Sequence, residues 1–146
     1  MADTAATVGV IDASVAVKLV VPEEGTAESV ALVEQRIRWV APRLLVTEVA
    51  SALRRKTASG ELSPIHATSA LAALLDAVSD DVIRLADDET LVQAALTLAL
   101  TIEHKVPDCL YLALAEREGA VLASADRKLL AAARARGVEV AEVPSA

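Results

Sequence analysis

Short β-branched runs alternate with longer stretches at helical spacing along the whole chain, and most changes of period fall on a turn residue. TVGVID is such a run, and SVAVKLVVPEEG after it reads as a short helix stopped near Pro22. Helical spacing from Thr26 to Ile37 gives way to a brief extended RWVAP, then to a longer helix from about Arg43 to Ala58 that Gly60 stops. Ser63 and Pro64 supply an N-cap and first turn for an Ala/Leu-rich helix ending near Ser79, and VIRL is predicted as a strand. Asp87 or Asp88 is placed to cap the helix through ETLVQAALTLALTI; Pro107 begins another, DCLYLALAERE, closed by Gly119. AVLAS is a strand, DRKLLAAARARG a helix with a glycine stop, and VEVAEV a final strand. Strands alternating with helices dictate right-handed crossovers, a parallel central sheet and helices on both faces, with ligands at the carboxyl ends of the strands.

The chain has 146 residues, enough for one domain, and no linker, repeat or low-complexity segment divides it, so a single domain over 1–146 is expected. Hydrophobic residues make up 54% but aromatics only 1%, so the core must be built from Ala, Leu and Val at close helix contacts. No apolar run reaches the roughly 20 residues of a bilayer span, and MADTAATVG lacks the basic region of a secretory leader, which points to a cytoplasmic protein with no membrane partner. The single cysteine, Cys109, excludes an intrachain disulfide and a cysteine-rich zinc site. Lys and Arg total 14 against 21 Asp and Glu, a formal charge of −7. That balance argues against nonspecific nucleic-acid binding unless basic residues cluster locally and a cation neutralises clustered acids.

Four acids interrupt or end apolar segments: Asp12 after VGVI, Glu48 inside PRLLVTEVASAL, Asp108 before CLYLALAE and Asp126 after AVLASA. Asp12 and Asp126 each close a strand and open a helix, so each reads as an N-cap or as a ligand-facing carboxylate in one crevice. Ser14 is available to cap in place of Asp12, and Ser124 is a competing cap or a further oxygen beside Asp126. Glu48 shares a helical face with Leu44, Leu45 and Ala52 and therefore needs a partner, either an ion pair with Arg54 or Arg55 or a shared cation. Asp108 lies in the first turn of a nearly all-apolar helix, where the macrodipole also favours it. Tyr111, three residues on, reads as a core anchor whose hydroxyl is in reach of a carboxylate.

Carboxylates gathered within a few ångströms raise one another's pKa, and a divalent cation relieves the conflict. Oxygen ligands without His or Cys select Mg²⁺ or Mn²⁺ over zinc. An ion of this kind activates a water for attack on a phosphodiester, the natural chemistry for a set of four carboxylates.

The blocks VIDASVAVKLVVPEEGT, APRLLVTEVASALRRK, PDCLYLALAE and VLASADRKLL, in this order over nearly the whole chain, resemble the PIN domain, specifically the VapC-type toxins of prokaryotic toxin-antitoxin pairs. The resemblance implies a three-layer α/β/α fold with a sheet of about five parallel strands. It implies that Asp12, Glu48, Asp108 and Asp126 are the catalytic quartet holding one or two Mg²⁺ or Mn²⁺ ions, with Ser14 and Ser124 as supporting polar contacts. It further implies an endoribonuclease leaving a 5′-phosphate, an RNA substrate, a homodimer, and a cognate antitoxin that places a basic side chain in the acidic pocket. Pro107 departs from the aromatic or small residue that relatives carry before the aspartate, which bears on helix entry more than on metal binding.

Candidates for holding the RNA backbone are Lys18, Arg43, Arg54, Arg55, Lys56, Arg127 and Lys128, with Lys18 and Arg127 ranked first because their helices begin near the proposed ligands. Trp39 reads as half-buried packing rather than a base-stacking ring. His66 and His104 lie without a nearby ligand pattern and read as surface or packing histidines, and Cys109 packs as a small hydrophobe. A phosphotransfer receiver domain would need adjacent acids at the first strand, and a haloacid-dehalogenase-type phosphatase an Asp where Ser14 stands. The alternative from another class is a noncatalytic PIN-like module that binds RNA or protein.

Overall fold

A computed structural model of the chain describes residues 7–145. The expectation that no secretory leader occupies the N-terminus rests mostly on residues 1–6 and lies outside that range. The elements run β1 (Val8–Ile11), α1 (Ala13–Val20), α2 (Thr26–Val33), β2 (Arg38–Pro42), α3 (Leu44–Ala58), α4 (Pro64–Ser79) and β3 (Ile83–Ala86). A 3₁₀ turn at Asp88–Thr90 leads to α5 (Val92–Ile102), α6 (Val106–Glu118), β4 (Val121–Ser124), α7 (Arg127–Ala135) and β5 (Val140–Glu142).

The five strands form one sheet in the order β3-β2-β1-β4-β5, every neighbouring pair parallel. The crossovers from β1 to β2 and from β2 to β3 step one way across the sheet; those from β3 to β4 and from β4 to β5 step back. Right-handed connections therefore put α1 to α4 on one face and α5 to α7 on the other. Accordingly α1 packs on α2, α3 and α4, while α6 packs on α5 and α7. The direction of travel reverses between β1 and β4, so the chains leaving these two strands turn to opposite faces of the sheet and leave a crevice between them.

α6 is buried continuously from Cys109 to Ala115, lying between the sheet and its neighbouring helices, which is why its sequence shows no polar stripe. α7 is the opposite case, burying Leu129, Leu130 and Ala133 along one side of a charged helix. Among the described residues no helix is long and apolar enough to cross a membrane.

Local chemistry departs from the sequence reading in three places. Trp39 is buried to 3% exposure rather than half-buried, because Gly9, its partner in register on β1, leaves room for the ring; a Cβ there would lie 2.5 Å from Trp39 Cζ3. Neither Asp87 nor Asp88 caps α5. Asp87 pairs with Arg43 at 2.6 Å, and the Asp88 carboxylate accepts from the Leu44 N–H at 3.2 Å, so it caps α3 across 44 residues of chain. The helix begun at Thr26 ends at Val33, short of Ile37.

Candidate functional site

At the carboxyl end of the sheet, over the switch point, lies a cavity of about 510 Å³ lined by Asp12, Glu48, Asp108 and Asp126 together with Ser14, Tyr111, Arg55 and Lys56. Each acid arrives from a different element. Asp12 follows β1 and caps α1, Glu48 sits in the second turn of α3, Asp108 in the first turn of α6, and Asp126 follows β4 and caps α7.

Asp12 is 5% exposed and held at both oxygens. Oδ1 accepts from the Ser14 hydroxyl at 2.5 Å and from the Val15 N–H at 3.2 Å; Oδ2 accepts from the Ser124 hydroxyl at 2.5 Å. The two serines are themselves fixed, because Ser14 Oγ accepts from the Ala125 N–H and Ser124 Oγ from the Asp126 N–H, each at 2.9 Å. Burial, opposed by these three hydrogen bonds and assisted by the like charge of Asp126, pushes the Asp12 carboxyl up from 3.8 to about 6. Capping and lining the cavity are thus compatible: Asp12 caps with Oδ1 and takes the Ser124 hydroxyl with Oδ2, and Asp126 caps with Oδ1, accepting from the Lys128 and Leu129 N–H groups.

Glu48 and Tyr111 join the two helical layers above the sheet edge. The buried Tyr111 hydroxyl donates to Glu48 Oε1 at 2.5 Å, so the residue read as a core anchor is that and a carboxylate-positioning group as well. Half burial and the like charge of Asp108 raise the Glu48 carboxyl above its ordinary value, against the opposing Tyr111 bond and Arg55. Burial and the bond to Glu48 raise the Tyr111 phenol, which stays protonated.

His104 was missed by the sequence reading. Its side chain is 4% exposed, and Nε2 lies 3.0 Å from Asp108 Oδ2. Among the described residues, His104, Asp108 and Asp126 are the one group of three metal-ligating side chains with ligand atoms all within 4.8 Å. Four carboxylates share the cavity, and the tightest set of ligand atoms contains two of them and an imidazole. The spacing of four residues from His104 to Asp108 is the signal that sequence offered.

Lys18, ranked first for phosphate contact, is 3% exposed, with its ammonium on the Glu24 carbonyl at 2.8 Å and near Glu23 at 3.5 Å. The loop at Pro22–Gly25 folds back over the helix and takes up that charge. Arg127 points away, 87% exposed and 4.0 Å from Glu142, and does not line the cavity. The basic residues on the cavity wall besides Lys18 are Arg55 and Lys56, the latter shared with Glu23 and Glu61.

A parallel sheet with acids from four elements at its switch point defines an α/β protein with an acidic, cation-seeking crevice. The family model for the PIN domain matches residues 9–135, and the chain belongs to the PIN-domain family, whose members are typically nucleases. Two solved structures share the fold. PAE2754 from Pyrobaculum aerophilum superposes with a TM-score of 0.70 at 24% identity, covering 93% of this chain and 92% of that one. VapC20 of Mycobacterium tuberculosis, a sarcin-ricin loop cleaving toxin, does so with a TM-score of 0.66 at 17% identity, covering 85% and 94%. At these identities the likeness is one of fold. No curated protein matches the chain significantly.

Proposed function

We propose that this PIN domain is a Mg²⁺- or Mn²⁺-dependent endoribonuclease that hydrolyses RNA phosphodiester bonds, and that it acts in the cytoplasm as the toxin of a toxin-antitoxin pair. The observation that carries the reading is the buried carboxylate of Asp12, raised to about 6 beside Asp126, with Glu48 and Asp108 on the same cavity. Burial first, and neighbouring carboxylates second, oppose the ionisation of Asp12 and Glu48, and a divalent cation is the partner that removes the opposition. Asp12, Glu48, Asp108 and Asp126 are assigned as its carboxylate ligands.

A bound cation of this kind neutralises phosphate charge and lowers the pKa of water near it. The chain's own residues do the positioning. Ser14 and Ser124 fix both oxygens of Asp12, Tyr111 fixes Glu48, and Arg55 and Lys56 place positive charge on the wall where a phosphate backbone would lie. The fold shared with a sarcin-ricin loop cleaving toxin supports RNA as the substrate class and an antitoxin as partner, and the resemblance to VapC-type toxins adds a homodimer to the proposal.

The test is to incubate purified, partner-free protein with total cellular RNA, with and without Mg²⁺ or Mn²⁺, beside Asp12→Asn and Asp108→Asn, and to map the cut ends. Metal-dependent cuts with 5′-phosphates, lost in both variants, are expected. Folded protein that binds RNA and cuts none of it with either ion would replace this reading with that of a noncatalytic binding module.

A further inference from the structure

The acids explain why a cation should bind, but not why a histidine is held against them. His104 ends the turn between α5 and α6, where Glu103 takes a left-handed conformation (φ 53°) and the His104 N–H bonds back to the Ala99 carbonyl at 3.3 Å. That turn sets the imidazole one step ahead of α6, out of solvent and against Asp108. Among the described residues it is the basic side chain within 4.0 Å of any of the four cavity acids; no Lys or Arg pairs with them at that distance.

We propose that His104 is a nitrogen ligand of the cation held by Asp108 and Asp126, and that it biases this site toward a transition-metal ion such as Mn²⁺ over Mg²⁺. The inference rests on the carboxylate-cation reading above and adds to it the choice of ion. Geometry supports it first. Adjacent ligands around an octahedral ion at about 2.1 Å lie about 3 Å apart and opposite ones about 4.2 Å apart. His104 Nε2 and Asp108 Oδ2 are already 3.0 Å apart, and the set with Asp126 closes within 4.8 Å, so an ion would take the place of the proton between Nε2 and Oδ2, that proton passing to solvent or the ring adopting its Nδ1–H tautomer. Ligand chemistry supports it second. Mg²⁺ takes oxygen almost exclusively, whereas an imidazole added to two carboxylates raises affinity for first-row transition metals.

The experiment is metal binding followed by electron spin echo spectroscopy on the full chain loaded with Mn²⁺ alone, with nitrogen-15 histidine labelling for assignment. His66, the other histidine, is an exposed residue at the start of α4 and leaves His104 as the source of any coupling. The wild-type spectrum is expected to show a directly coordinated histidine nitrogen. In His104→Gln the signal disappears and Mn²⁺ affinity falls about 10- to 100-fold. Mg²⁺ affinity is expected to stay within about two-fold, because oxygen ligands dominate its binding. Mn²⁺ that binds, is lost in Asp108→Asn, yet shows no nitrogen coupling in the wild type would overturn the assignment of His104 and leave the carboxylate site standing. Absence of Mn²⁺ binding, or binding indifferent to Asp108→Asn, would remove both. The wild-type spectrum decides between these cases, so the result does not hang on the folding of a variant.

Discussion

Replacing Asp12 by Asn should stabilise the metal-free protein at neutral pH. The sign follows from the direction of the shift. A carboxyl whose pKa is raised on folding, here from 3.8 to about 6, takes up protons on folding, so stability is greatest below the lower value and falls as pH rises through the interval. At 1.36 kcal/mol per unit the full cost of ionising Asp12 is about 3 kcal/mol, reached above about pH 7, with about half of it present at pH 5. Asn caps a helix as well as Asp does: its oxygen goes on accepting from the Val15 N–H and the Ser14 hydroxyl, while its amide donates to a rotated Ser124 hydroxyl, so the substitution removes the charge at the expense of one reversed hydrogen bond. Urea unfolding in chelator at pH 5 and pH 8 measures the gap between variant and wild type, in which other titrating groups cancel. The gap should favour Asp12→Asn and widen by about 1.5 kcal/mol between the two pH values. A variant less stable than wild type at pH 8, or a gap that does not move with pH, would refute the assignment of a buried, reluctant anion. Adding Mn²⁺ should stabilise the wild type and not the variant.

Tyr111→Phe removes the donor to Glu48 and should cost about 1.5 to 3 kcal/mol, the range for a hydrogen bond to a charged group, while raising the Glu48 pKa further; thermal melts with a carboxyl titration check both. Gly9→Ala drives a methyl into Trp39 and should cost about 1 to 3 kcal/mol with a shift in the emission of the single tryptophan. Asp88→Ala should cost about 1 kcal/mol by uncapping α3, and hydrogen exchange at the Leu44 amide should report it.

The alternation of strand and helix made the architecture legible, since parallel pairing and two-sided helix cover follow from connection lengths and handedness alone. The position of the crevice followed in part: Asp12 and Asp126 stand at strand ends in the sequence, and the strand order shows those strands to be neighbours. What stayed hidden was nonlocal or depended on single oxygens. Cap and site residue looked like exclusive roles for Asp12 and Asp126, whereas both cap a helix and both line the cavity. Lys18 looked free because nothing in the sequence announces that Glu23 and Glu24 fold back onto it. Asp88 looked like a cap for the helix it precedes but serves one that began 44 residues earlier. His104 looked isolated because the left-handed turn at Glu103, adopted by a residue other than glycine, gives no compositional sign.

The bond from Ser124 to Asp12 ties positions 112 residues apart, and β4 must dock beside β1 before it can form. A chain emerging from the ribosome with β1, α3 and even α6 already made therefore carries three of the four acids but has no closed crevice to hold them. The crevice closes in one step, when residues 121–126 are free to fold and the sheet accepts its fourth strand. In a chain made from its N-terminus, that order of assembly leaves the cavity unformed until β4 has joined the sheet.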